Sequence, residues 1–431
     1  SKDLVHWRLK GHALNEKRLL DLRGIPSSGG VWAPALSFYD NLFYLCYTVV
    51  HQHEAATKDT PNFLITAPSI EGPWSDPIFI NASGFDPSLF HDDDGKKYWL
   101  NMVWDHRPNK HPFYGIVLQE YDPNNKTLLG KPEVIFKGSP IRLTEGPHLY
   151  KRNGYYYLLS AEGGTEYEHA VTLARSRNLL GPYEIHPQNP ILTSSGKADL
   201  KLQKAGHASL VETEHGEWYM PHLCARPLPG TQKCNLGRET AIQKVEWRND
   251  DWLYLLNDGN NPIEHVVPPS LQPHTFKELP KRLPFDSPHY AIPRGPSSSV
   301  QVHPEKLILT GKQSLESNFE QAMLARRLIS HKLTATTKLS FEPESFQQMA
   351  GLAAYYNTYL FHYLYLSYDE EKGLCLQIHT CDDGVSSFPL GEQIIPVGEG
   401  KIYLRAIFNH CSLQFQFSEN GKDFLNAGNT L

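Results

Sequence analysis

The stretch DPSLFHDDDGKKYWL (residues 86–100) joins two strand-like runs through a polar turn, and the same layout occurs three more times in the chain. Each copy has a polar or small residue, a few small or Pro positions, a Leu, a polar turn and an aromatic-rich strand. The other copies are APALSFYDNLFYL (33–45), EGPHLYKRNGYYYL (145–158) and HASLVETEHGEWYM (207–220). Units that recur at such intervals, each built of antiparallel strands joined by hairpins, are typical of a β-propeller.

A second element follows the aromatic strand and ends in a Ser-containing turn and an aromatic residue, as in TAPSIEGPW (66–74) and ARSRNLLGPY (174–183). The first residues of the chain, SKDLVHW, match this outer element and not the inner hairpin. We therefore expect the chain to begin at the outer strand of a blade whose inner strands lie upstream. Four inner-strand motifs and this inferred fifth predict a five-bladed β-propeller with an incomplete first blade.

The pattern changes twice after the last propeller motif. We assign residues 1–258 to the propeller and the Pro-rich residues 259–299 to a linker. From 300 to 431, apolar residues alternate with polar ones in runs separated by turns, which favours a β-sandwich. The chain is thus predicted to be all-β, and the abrupt end after FLNAGNTL suggests that the sandwich is truncated.

The composition excludes several classes of partner. The formal charge is only −6, so no basic surface points to nucleic acid. The apolar runs are too short to cross a bilayer, which predicts no membrane partner. No phosphate-binding loop or metal-ligand spacing occurs, so we expect no required cofactor, and no ligand cluster supports an axial Ca²⁺.

The chain has six Cys residues: Cys46, Cys224, Cys234, Cys375, Cys381 and Cys411. None of them forms a CxxC pair of the kind that binds metal. Reduced, partly buried thiols are the simpler interpretation, and they fit a cytoplasmic location. Because the chain starts at Ser1 and not at Met, a signal peptide upstream would not be visible, and secretion stays open. A homo-oligomer is compatible with the sequence.

Asp86, Glu145 and His207 are predicted to occupy matching positions at the start of three inner strands. Inner strands line the axis of a propeller, so repeat symmetry brings two carboxyls and an imidazole to one funnel. Two carboxyls that face one cavity suit hydrolysis of a glycosidic bond, because one of them can be held protonated as a general acid. Taken singly, each carboxyl more often caps a turn, and only their equivalence across repeats favours function.

Two further side chains are candidates for the same funnel. Trp32 precedes the first motif and could stack on a sugar face, with an ordinary core Trp as the alternative. Arg238, in NLGRETA (235–241), follows the fourth motif where the next inner strand is expected to start. We expect a buried cation that pairs with an axial carboxylate there, with a surface Arg as the alternative.

Several long motifs, in order along nearly the whole chain, resemble glycoside hydrolase family 43, in the β-xylosidase branch that carries a C-terminal β-sandwich. These motifs are SKDLVHWRLKGHAL, GGVWAPALSF, FDPSLFHDDDGKKYWLN, LTEGPHLYKRNGYYYLLSAEGGTEYEHAV, AGHASLVET and LGRETA. The resemblance implies a five-bladed propeller and an inverting, exo-acting hydrolase that removes terminal β-1,4-xylosyl units from xylo-oligosaccharides, with side activity on α-L-arabinofuranosides.

By motif, the resemblance also implies a role for each candidate. Glu145 matches the general acid, and Asp86 matches the Asp that raises the pKa of the acid and orients it. Trp32, His207 and Arg238 match positions that line the substrate-binding subsite.

The catalytic base of the family is an Asp in the first inner strand, which would precede Ser1. No residue of this chain is therefore assigned that role. Because the base activates the attacking water, we expect the 431-residue chain alone to be inactive or nearly so.

Three other functions stay open at this point. One is an arabinan-degrading hydrolase of the same inverting group, and another is a non-catalytic carbohydrate-binding propeller. Retaining fructosidases also use five blades, but they would need a Glu-Cys motif at the acid, where this chain has Glu145 and Gly146.

Overall fold

The computed structural model describes residues 1–431, and all of its regular secondary structure is β-strand. None of the chain forms a helix with the length and apolarity that a membrane crossing requires. The chain divides into two compact units: Ser1–Leu20, Ser28–Pro227 and Gly237–Lys281 form the first, while Asp21–Ser27, Leu228–Leu236 and Arg282–Leu431 form the second. Residues 259–299, predicted as a separate linker, are thus shared between the two units.

The first unit consists of four antiparallel sheets, each made by consecutive segments of the chain. The first sheet is β1 (Gly30–Tyr39), β2 (Leu42–Val50), β3 (Asn62–Ala67) and β4 (Ile78–Asn81). The second is β5 (Ser88–His91), β6 (Lys97–Trp104), β7 (Phe113–Asp122) and β8 (Thr127–Phe136). The third is β9 (Glu145–Arg152), β10 (Tyr155–Glu162), β11 (Ala170–Ser176), β12 (Glu184–Ile185) and β13 (Leu192–Thr193). The fourth is β14 (Gln203–Ala208), β15 (Val211–Glu212), β16 (Trp218–Ala225), β17 (Glu239–Trp247) and β18 (Leu253–Leu255).

These sheets are the blades that the repeat predicted, and each repeat motif forms the first hairpin of one blade. The apolar clusters lie between consecutive blades. Leu64 of the first blade packs with Leu89 and Trp99 of the second. Further clusters join the second blade to the third and the third to the fourth. Each blade therefore buries its aromatic-rich strands against its neighbour, as a propeller requires.

The start of the chain differs from the prediction. Residues 3–6 form bends, and residues 1–7 contain no outer strand. Buried Asp3 accepts hydrogen bonds at Oδ1 from the backbone N–H groups of Val5 (3.0 Å) and His6 (2.8 Å). Its Oδ2 accepts another from the N–H of His274 at 2.7 Å. Local side-chain acceptors thus satisfy donors that a strand would have offered to a neighbour.

The second unit has two short hairpin-like pairs followed by two larger antiparallel sheets. The short strands are β19 (Tyr290–Ala291), β20 (Val300–His303), β21 (Lys306–Leu309) and β22 (Ala325–Arg326). One sheet has β23 (Lys332–Ser340), β29 (Lys401–Asn409), β30 (Ser412–Ser418) and β31 (Leu425–Asn426). The other has β24 (Ala350–Asn357), β25 (Leu360–Asp369), β26 (Gly373–Asp382), β27 (Val385–Ser387) and β28 (Ile395–Pro396).

Side chains from the two larger sheets meet in one core. Leu376 and Ile378 of β26 pack in the same cluster as Leu413 and Phe415 of β30. These residues belong to the alternating runs that predicted a sandwich, and that prediction is confirmed.

Candidate active site

Each blade contributes a residue with left-handed backbone just ahead of its repeat Leu, and in the fourth blade this residue lies near the end of β14. These residues are Ala33, Asp86, Gly146 and His207, with φ of 38°, 56°, 56° and 43°, and each stands three positions before the repeat Leu. Asp86, Glu145 and His207 were expected at equivalent positions of their blades, and this prediction is wrong for Glu145 by one residue. Gly146 occupies that position, and Glu145 stands one residue earlier, as Trp32 and Phe85 do in their blades.

The structure nevertheless brings Asp86 and Glu145 together at buried positions, 6% and 5% exposed. The backbone N–H of Gly146 donates to Oδ2 of Asp86 at 3.1 Å. Ser88 lies two residues after Asp86, and its Oγ donates to the carbonyl of Pro147 at 2.5 Å. These two hydrogen bonds join the inner strands of the second and third blades directly beside the carboxyl pair.

The environment of the pair disfavours two negative charges. Burial raises the pKa of Asp86 from 3.8 to about 7, although the Gly146 N–H and the charge of Arg238 act in the opposite direction. Burial, followed by the charge of Asp86, raises the pKa of Glu145 well above 4.5. Because Asp86 has a donor for its anion and Glu145 Oε1 has no hydrogen-bond partner, the pair keeps its last proton on Glu145. The arrangement pairs a carboxylate with a neutral carboxylic acid.

His207 lies against the turn that carries Glu145. A Cβ added at Gly146 would come within 2.6 Å of His207 Nε2, so only Gly leaves room for the imidazole. Burial, with a smaller effect of the Arg238 charge, lowers the pKa of His207 to about 4. The imidazole is therefore neutral at pH 7 and can hydrogen-bond a bound hydroxyl without adding charge.

Arg238 lies elsewhere than predicted. It precedes β17, the third strand of the fourth blade, because Glu239 pairs with Cys224 of β16 and continues the same sheet. Its side chain is exposed, so the prediction of a buried cation is wrong. Its charge still lowers the pKa of Asp86 and of Glu145, which identifies it as the cation that acts on both carboxyls.

Trp32 contacts the ring of Phe85, the residue directly before Asp86. Its half-buried indole meets the Phe85 ring edge-on, with centroids 5.3 Å apart and an interplanar angle of 85°. The indole Nε1 donates to the carbonyl of Ser28 at 2.8 Å, which fixes the ring. Sequence analysis missed Phe85, and His53, whose ring lies 5.5 Å from that of Trp32. The signal for Phe85 was its place directly before Asp86, in register with Trp32.

Most of the site residues predicted from the sequence thus lie together, and Trp32 is the exception. Asp86, Glu145 and Arg238 interact electrostatically, and His207 lies at Gly146 and is affected by the charge of Arg238, whereas Trp32 contacts Phe85, the residue before Asp86. All six Cys residues are free and none takes part in this site.

Comparisons with known proteins agree with this arrangement. Residues 1–253 match the sequence model of Glycosyl hydrolases family 43, and residues 281–431 match that of the Beta xylosidase C-terminal Concanavalin A-like domain. The chain is 47% identical to Xylosidase/arabinosidase 43B of Humicola insolens, over 100% of this chain and 82% of that one. It is 46% identical to Beta-xylosidase of Bacillus subtilis strain 168, over 98% and 83%. The crystal structure of xylan beta-1,4-xylosidase from Bacillus halodurans C-125 superposes with a TM-score of 0.97 at 49% identity, over 100% of this chain and 84% of that one.

Proposed function

This chain, which forms four blades and a β-sandwich, belongs to glycosyl hydrolases family 43, and on that premise we propose that it removes terminal β-1,4-xylosyl units from xylo-oligosaccharides. Hydrolysis occurs at the non-reducing end and by a single displacement with inversion. The substrate is bound beside Asp86 and Glu145.

Glu145 is the general acid of this proposal. Its neutral carboxyl delivers a proton to the glycosidic oxygen as the bond from that oxygen to C1 breaks, while the oxygen of water bonds to C1 from the opposite side. The proton lost by that water passes to a base that we assign to no residue of the chain. Burial, and after it the charge of Asp86, raises the pKa of Glu145, so that the acid keeps its proton at a pH where an exposed carboxyl would lose it.

The remaining site residues bind the sugar in this proposal. Trp32 offers an aromatic face to the pentose ring, and neutral His207 hydrogen-bonds its hydroxyls. Arg238 places a positive charge at the site, and this charge favours the ionised form of Asp86, although burial has the larger effect and raises its pKa.

One observation carries the proposal: two buried carboxyls lie in one site, and Glu145, whose pKa is raised by burial, has an oxygen without a hydrogen-bond partner. The test uses the natural protein that contains this chain, and its Glu145→Gln variant. Xylobiose hydrolysis is expected to fall by about 10²–10⁴-fold, whereas 2,4-dinitrophenyl xyloside, whose leaving group needs no proton, is expected to lose far less. Glu133→Gln, a change at an exposed glutamate of β8, serves as the control.

Proton NMR of the first product decides the stereochemistry, because inversion releases α-xylose first. Initial release of β-xylose would contradict single displacement. Equal losses on both substrates in Glu145→Gln would contradict the role of Glu145 as acid. A carbohydrate-binding propeller without activity would release no xylose from either substrate.

Activity on α-L-arabinofuranosides is a second candidate, because the similar Humicola insolens protein is named as both a xylosidase and an arabinosidase. Parallel assays with 4-nitrophenyl β-xyloside and 4-nitrophenyl α-L-arabinofuranoside measure the balance. Since both sugars would use one acid, Glu145→Gln is expected to lower both activities on substrates with poor leaving groups.

A further inference from the structure

The buried carboxyl of Glu162 lies next to the strand that carries Glu145 and plays no part in the proposed reaction. Glu162 ends β10 and is 0% exposed. Its Oε1 accepts hydrogen bonds from Ser139 N at 2.8 Å and from Thr144 Oγ1 at 2.7 Å. Its Oε2 accepts one from Ser139 Oγ. All three donors are neutral and Glu162 makes no ion pair, so these donors compensate for the burial of its carboxyl.

These hydrogen bonds hold the segment that leads into β9. Gly138, at the start of the segment, has φ of 94°, and a Cβ there would lie 2.1 Å from Thr144 Oγ1. The N–H of Gly163 donates to the carbonyl of Arg142 at 2.9 Å. The segment between residues 138 and 145 is therefore attached to the end of β10 at several points, and it has little free space in which to move.

Glu145 is next to this fixed segment in two ways: along the chain and across the β9–β10 pairing. Thr144 directly precedes Glu145 in the chain, and Ala161, which precedes Glu162, is the strand partner of Glu145 in the β9–β10 pairing. By contrast, Oε1 of Glu145 has no hydrogen bond of its own. The direction of the Glu145 side chain is thus determined mainly by its backbone and its packing.

We propose that Glu162 is a positioning residue, which holds the general acid in place through the hydroxyl of Thr144. The inference rests on the proposed role of Glu145. Loss of the Thr144 hydrogen bond leaves Glu145 chemically intact but lets its carboxyl move relative to the glycosidic oxygen. Proton delivery then fails, while sugar binding and departure of a leaving group that needs no proton continue.

The experiment compares two substrates in the natural protein that contains this chain. Thr144→Val removes the hydroxyl and keeps the shape, Thr144→Ser keeps the hydroxyl, and Glu162→Gln replaces one acceptor oxygen by a donor. Thr172→Val is the matched control, since Thr172 is buried in the same blade and its hydroxyl has no hydrogen-bond partner.

For Thr144→Val and Glu162→Gln, kcat on xylobiose is expected to fall by ~10-fold or more, the scale that a small misplacement of a catalytic group costs. On 2,4-dinitrophenyl xyloside, kcat is expected to stay within about twofold, KM to be little changed on either substrate, and Thr144→Ser to keep most of the xylobiose activity. Thr172→Val should not separate the two substrates.

Equal losses on both substrates, or none on xylobiose, would overturn the positioning role, and if Glu162→Gln does not fold, the two Thr144 variants decide. If the unaltered protein leaves xylobiose intact, the proposed function fails together with this inference. If the unaltered protein is active but Thr144→Val behaves like Thr172→Val, the positioning role is wrong while the proposed function stands.

Discussion

Replacement of Asp86 by Asn is expected to stabilise the propeller, and more strongly at pH 8 than at pH 4. The folded protein raises the pKa of Asp86 from 3.8 to about 7. Between these values the unfolded chain binds fewer protons than the folded chain, so the stability of the unaltered protein falls as pH rises through this window. At about 1.4 kcal/mol per pKa unit, the full effect is on the order of 4 kcal/mol at pH 8. Asn cannot ionise and avoids this loss.

Tryptophan fluorescence in urea measures this effect selectively, because all eight Trp residues lie between positions 7 and 252, within the first unit. The difference in unfolding free energy between Asp86→Asn and the unaltered protein should be small near pH 4 and should increase up to pH 8.

Asp92, in the same blade, is the control with the opposite sign. Burial opposes its ionisation, but hydrogen bonds from Lys151, Asp93 N–H and Tyr156 outweigh burial and lower its pKa. Its contribution to stability is present above the unfolded pKa and is lost as pH falls, so Asp92→Asn should cost stability at pH 8 and less near pH 3. A pH-independent effect of Asp86→Asn, or destabilisation that grows with pH, would refute the account of the buried carboxylate.

The remaining predictions concern the neighbours of Glu145. Arg238→Gln removes a charge that lowers the pKa of Glu145, so the alkaline limb of the pH–rate profile should move to higher pH. Asp86→Asn removes a charge that raises the pKa of Glu145, so the alkaline limb of its residual activity should move to lower pH. Shifts of the alkaline limb in the same direction in both variants would contradict the effects assigned to Arg238 and Asp86. Gly146→Ala places a Cβ 2.6 Å from His207 Nε2 at a left-handed backbone position, which should lower the unfolding free energy by about 1–3 kcal/mol in the same fluorescence assay. Unchanged stability would show that the imidazole can move away freely.

The blades and the meeting of the two carboxyls could be predicted because each depends on a repeat. A hairpin motif that recurs four times predicts four equivalent sheets, and residues near the start of each motif meet on the inner side. The register error at Glu145 arose because the repeats were aligned by their polar residues, so that Glu145 was matched with Asp86. Alignment by backbone conformation matches Gly146 with Asp86. Asp86 and Gly146 both adopt the left-handed conformation, which Asp and Gly tolerate best, and this property identifies the equivalent positions.

Other features depend on contacts that have no repeat. Arg238 was placed on an inner strand because the residues 228–236 before it were counted as part of the propeller, whereas they belong to the second unit. Asp3 folds the first residues into a turn through three backbone donors, one of them more than 270 positions away. Glu162 gave no signal, because a Glu before two Gly residues is typical of an ordinary turn.

Titration of the Glu145 side chain by carbon-13 NMR tests the central claim most directly, with Glu145→Gln used to assign the signal. We expect the carboxyl carbon to titrate well above pH 4.5 in the unaltered protein, and at lower pH in Asp86→Asn. A midpoint near 4.5 that does not change in Asp86→Asn would show that Glu145 is an ordinary carboxylate, and it would contradict the assignment of this residue as the proton donor.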